Sequence, residues 1–111
     1  MTYEQIQTAL ESLGLPTCYY QFEEDTEVAP PFLCWYVPGS NGFFADNSVY
    51  SQLIELTIEL YTADKRWDLE EALEGILNTN ELPFQKTESY IDSEKLFLQT
   101  YETEVFINGS D

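Results

Sequence analysis

Residues 54–61 read Ile-Glu-Leu-Thr-Ile-Glu-Leu-Tyr, an alternation that admits few structures. Side chains point to opposite faces every second residue in a strand, so Ile54, Leu56, Ile58 and Leu60 fall on one face, with Glu55, Thr57, Glu59 and Tyr61 on the other. A strand with one apolar and one polar face belongs to an antiparallel sheet covered on one side. The pattern extends over about 49–62.

A second segment repeats the pattern near the C-terminus. Between about Lys95 and Ile107, Phe97, Tyr101, Val105 and Ile107 share a face, and Glu102 and Glu104 lie opposite. A strand over about 84–91 precedes it, joined through a turn at Asp92-Ser93 to form a hairpin. If the strands bearing Glu55, Glu59, Glu102 and Glu104 are neighbours, these acids form one like-charged patch, which is tolerable only where it stays wet.

Helices are predicted at two places. Thr2 and Gln5 fit a capping box, and Ile6, Ala9, Leu10 and Leu13 recur at helical spacing before Gly14 and Pro16 end a helix over about 2–13. Asp64 is the expected N-cap of a second helix, with Leu69, Ala72, Leu73, Ile76 and Leu77 as its apolar stripe and Glu70, Glu71 and Glu74 on its wet face. Trp67 is expected to pack at its start.

Two further strands complete the order. Residues 17–23 are aromatic-rich and alternate, leading into the acidic run Glu23, Glu24, Asp25 and Glu27. After Pro30-Pro31, residues 32–37 are apolar on both faces, with Phe32, Cys34 and Tyr36 against Leu33, Trp35 and Val37. One face meets the helices; the other needs a second layer or another subunit, which makes Leu33 and Trp35 candidate interface residues. The polar connection 38–48 carries Phe43 and Phe44 at its centre, and adjacent phenylalanines among turn residues point to a partner contact.

The order αβββαββ over 111 residues implies one α+β domain, with about five mainly antiparallel strands and two helices on one face. A hydrophobic content of 43% and an aromatic content of 15% supply a core that a disordered acidic tail would lack.

Charge and chemistry narrow the function. Twenty-one acidic residues face four basic ones, for a formal net charge of −17, and residues 1–64 hold no Lys or Arg. Such a chain repels phosphate backbones and anionic lipid, so neither specific nucleic-acid binding nor membrane association is expected. The N-terminus lacks a basic and apolar leader pattern, which points to a cytosolic protein with Cys18 and Cys34 as free thiols, although the two would be able to bridge if their strands adjoin.

No histidine is present, which removes the commonest general base and metal ligand. No phosphate-cradling glycine motif or CxxC occurs, and Glu23, Glu24, Asp25 and Glu27 lack the spacing and glycine of a calcium loop. Close carboxylate pairs are expected by chance among so many acids. No catalytic, cofactor or metal residue is assigned.

Several phrases resemble tailed-phage and prophage structural proteins of Gram-positive hosts: GLPTCYYQFEE at 14–24, PPFLCWYVPGSNGFFAD at 30–46, LTIELYTADK at 56–65 and FQKTESYIDSEKLFLQTYETEV at 84–105. The pattern is similar to tail-terminator or tail-completion proteins. The resemblance implies an α+β subunit of a ring, commonly a hexamer, that caps the tail tube and joins it to the head. Partners would then be other copies of the chain and tail-tube or head-connector proteins, first in the host cytoplasm and then in the virion neck. Another connector or minor capsid role, or an acidic DNA-mimic inhibitor, remains as an alternative.

Overall fold

The computed structural model describes residues 1–23, 27–40 and 51–108. Helix α1 (Tyr3–Glu11) is followed by strands β1 (Thr17–Tyr19), β2 (Phe32–Ser40) and β3 (Ser51–Thr62), helix α2 (Trp67–Thr79), and strands β4 (Gln85–Ile91) and β5 (Leu96–Asn108). The strands form one sheet in the order β1-β2-β3-β5-β4. All pairings are antiparallel except β1 with β2. This is the expected α+β architecture, with both helices packed on one face of the sheet.

Local chemistry accounts for the helix ends. The Thr2 hydroxyl accepts from the Gln5 amide at 3.1 Å, and the Gln5 side chain accepts from the Thr2 amide at 2.9 Å, so the capping box is formed. The chain leaves α1 through Gly14 at φ +88°, a left-handed conformation that glycine adopts without a side-chain clash. At α2 the expected cap is displaced: Arg66, not Asp64, occupies the N-cap position, without a side-chain cap bond. Arg66 instead pairs with Asp68 through two hydrogen bonds of 2.9 and 2.8 Å.

The core lies between helices and sheet. Ile6 and Leu10 of α1 and Leu73 and Leu77 of α2 pack over Ile54, Leu56, Ile58 and Leu60 of β3, with Tyr101, Val105 and Ile107 from β5. Trp67 departs from expectation. It is 67% exposed at the surface, with Lys65 Nζ 5.5 Å above its ring.

Strand β1 is shorter than the predicted 17–23 because Tyr20 turns to φ +70°, although its amide still donates to the Trp35 carbonyl at 2.7 Å. Strand β2 runs past Val37 to Ser40, with its register against β3 shifting between Tyr36 and Gly39. Pro38, which has no amide to donate to a ladder, lies within that irregularity.

Candidate functional site

The face of the sheet opposite the helices is the candidate site. Directly opposed residues of an antiparallel pair share a face, and the β3–β5 register opposes Glu55 to Glu104, Thr57 to Glu102 and Glu59 to Thr100. Ile54, Leu56, Ile58 and Leu60 point into the core, so these acids point the other way. Glu55, Glu59, Glu102 and Glu104 are thus brought together on one surface, the arrangement expected if the two strands adjoin. Glu55, Glu102 and Glu104 are exposed, and Glu59 is half-buried.

Glu55, Glu102 and Glu104 line a shallow depression of about 470 Å³ with Pro38 and Gln85. The irregular register in β2 sets Gly39 opposite Glu55, where a Cβ would lie 3.4 Å from Glu55 Oε2.

The β2 side of the same face is aromatic. Phe32 stacks on Tyr61 with centroids 4.9 Å apart, and Phe22 meets Phe32 edge-on at 5.4 Å. Tyr20 meets Tyr36 at 5.6 Å. The Tyr61 hydroxyl donates to Glu59 Oε1 at 2.9 Å, linking the aromatic and acidic halves. Burial, reinforced by that bond to Glu59, holds the Tyr61 phenol well above its usual range and keeps it neutral.

Leu33 and Trp35 are not on this surface. They occupy the alternate positions of β2, turned toward the helices, and are 0% and 4% exposed. The indole of Trp35 donates to Gln7 Oε1 at 2.5 Å, and Tyr19 packs edge-on against it at 4.7 Å. Their nomination as interface residues is therefore corrected to a core role. On the other face of β2, Cys34 is buried beside Cys18, and Phe32, flanked by Phe22 and Tyr61, is half-buried.

Glu23 and Glu27 are exposed. Glu24 and Asp25 of the same run, and the Phe43 and Phe44 pair, lie outside the described residues.

A second charged cluster sits on the helix face. Glu70, expected on the wet side of α2, is 2% exposed and receives Lys65 and Lys86, each at 2.7 Å. Lys86 also reaches Glu74 at 2.8 Å, and Lys65 bonds Glu88. The Tyr101 hydroxyl donates to Glu74 at 2.8 Å. Burial pushes the Glu74 carboxyl up, but the bonds from Lys86 and Tyr101 outweigh it and hold the group below its ordinary value. Burial works against the charge on Lys86 too, and its bonds to Glu70 and Glu74 raise it nonetheless.

A signal for this cluster existed. Glu70 stands three residues before Leu73 and seven before Leu77, on the buried stripe itself. The consequence is electrostatic: Lys65, Lys86 and Arg66 are all engaged around α2, on the side away from the acidic sheet face. Among the described residues, no cluster of three or more Cys, Asp or Glu side chains is arranged to hold a metal ion.

No family model matches the chain, and no curated protein matches it at a significant level.

Proposed function

We propose that this chain is a non-enzymatic assembly subunit, a tail-terminator or tail-completion protein that forms a ring, caps a phage tail tube and joins it to the head. The observation that carries the reading is the helix-free sheet face on which Glu55 opposes Glu104 beside Glu102 and Glu59. Opposed like charges cost stability, so a flat face that keeps them is better explained by use than by folding.

A ring around double-stranded DNA benefits from such a lining. Each phosphate neutralised by a Lys or Arg releases counterions and adds affinity, whereas carboxylates repel the duplex and leave it free to slide. In this reading the β3–β5 face turns toward the lumen. Copies of the chain and the tail-tube or head-connector proteins meet its remaining surfaces, where Phe43 and Phe44 are the nominated contacts. Assembly begins in the host cytoplasm and ends in the virion neck. Native mass spectrometry with tail-tube protein tests this: a ring of the chain bound to tube protein is expected, and failure to bind the tube overturns it.

The same face favours one other reading. Glu102 and Glu104 are two residues apart on one strand, about 6.8 Å by strand geometry, with further acids alongside. Glu102 and Glu104 at that spacing, with Glu55 and Glu59 on the neighbouring strand, suit a DNA mimic that occupies a nuclease or restriction enzyme. Inhibition of such an enzyme at stoichiometric concentration, without tail binding, would favour this reading over the ring.

A further inference from the structure

We propose that Cys18 and Cys34 form a dithiol that closes to an intramolecular disulfide by exchange with a small-molecule disulfide, fixing edge strand β1 to β2. The two residues are direct register partners in the parallel β1–β2 pair. Their side chains leave the same face, and the Sγ atoms lie 3.2 Å apart. Neighbouring strands run about 4.8 Å apart, within the Cα separations that disulfides span, so closure asks for side-chain rotation without movement of the strands.

The pair differs in access. Cys34 is buried in β2, while Cys18 on the edge strand is half-buried and meets a reagent first. The Cys18 thiolate attacks one sulfur of the reagent, forming a mixed disulfide and releasing the first small thiol. The Cys34 sulfur then attacks the Cys18 sulfur, and the second small thiol leaves. Two electrons pass from the protein to the reagent, and the two thiol protons end on the two released thiols. The second step is intramolecular between sulfurs already in contact, so the mixed disulfide does not accumulate.

Burial raises both thiols above their ordinary range, so the uncatalysed reaction is slow at neutral pH and the pair stays reduced in a reducing cytosol. Under oxidising conditions it closes. The segment 18–34 becomes a covalent loop, and β1, only three residues long, is tied to the sheet.

Incubation of the folded chain with oxidised glutathione, followed by mass spectrometry of a non-reduced digest, tests this. The expected product has lost two hydrogens, joins the peptides containing Cys18 and Cys34, carries no glutathione and is not linked between chains. Its Tm lies about 10 °C above that of the reduced protein, and Cys18→Ser abolishes the rise. A lasting glutathione adduct, an intermolecular bridge, or thiols that stay free while the urea-unfolded chain reacts would overturn the proposal. So would a closed disulfide that leaves Tm unchanged or lower.

Discussion

Glu55 and Glu104 stand directly opposite each other in the β3–β5 ladder, on the face of the sheet turned away from both helices. Like charges in that position repel across a short cross-strand distance, and that repulsion costs stability at neutral pH. Glu55→Gln should therefore stabilise the domain by about 0.5 kcal/mol at low salt. Urea denaturation of the variant beside the parent, at low and high ionic strength, checks this; the gain should shrink as salt screens the pair.

The same reasoning extends to the whole chain. With a net charge of −17, self-repulsion should dominate over the few ion pairs, so added sodium chloride should raise Tm by several degrees. A thermal melt series in salt reads this directly. A Tm that falls with salt would mean that the Lys65 and Lys86 bonds outweigh the repulsion.

Glu70 holds two lysines while almost fully buried. Removing it takes away the buried carboxylate that the two lysines share and leaves Lys65 with Glu88 and Lys86 with Glu74, so Glu70→Ala should cost about 2 kcal/mol. Replacing a buried ionic group together with its partners by apolar residues is far better tolerated. The triple variant Glu70→Leu, Lys65→Met, Lys86→Met should recover only part of the loss in chemical denaturation, because Glu74 and Glu88 lose their lysine partners.

Acid should act through Glu74. Its folded carboxyl lies below the ordinary value of 4.5, so its stabilising contribution is present above that pH and disappears as pH falls through the lower, folded value. Glu74→Gln should flatten part of the decline of stability below about pH 4.5, as followed by denaturation midpoints across an acid series.

Leu33 has no exposed surface in β2. As a core residue it should cost about 3 kcal/mol on Leu33→Ala, through lost burial and the cavity left behind. A change that altered self-association while leaving stability intact would return Leu33 to the interface.

The acidic face was legible in advance because alternation alone assigns Glu55, Glu59, Glu102 and Glu104 to the side away from Ile54 and Val105. What alternation does not contain is which strands adjoin, and only the β3–β5 register makes Glu55 and Glu104 partners. The capping box at Thr2 was equally local, hence readable. Glu70 was misplaced because its charge outweighed its position on the Leu73–Leu77 stripe, and Lys86, which helps bury it, comes from a different element. Sequence alone nominates Leu33 and Trp35 as interface residues because a strand apolar on both faces calls for a second covering layer. Here β2 is an inner strand whose Leu33 and Trp35 side is the one that meets the helices, while Phe32, Cys34 and Tyr36 take the opposite face. The contact of Cys18 with Cys34 depends on a parallel pairing that composition does not announce.

Cryo-electron microscopy of phage tails assembled in the presence of this chain is the sharpest test of the proposed ring. A ring of this subunit is expected at the junction of tail tube and head, with Glu55, Glu102 and Glu104 of the β3–β5 face turned toward the DNA channel. Absence of the chain from the particle, or a ring whose channel is lined by the helix side, would contradict it.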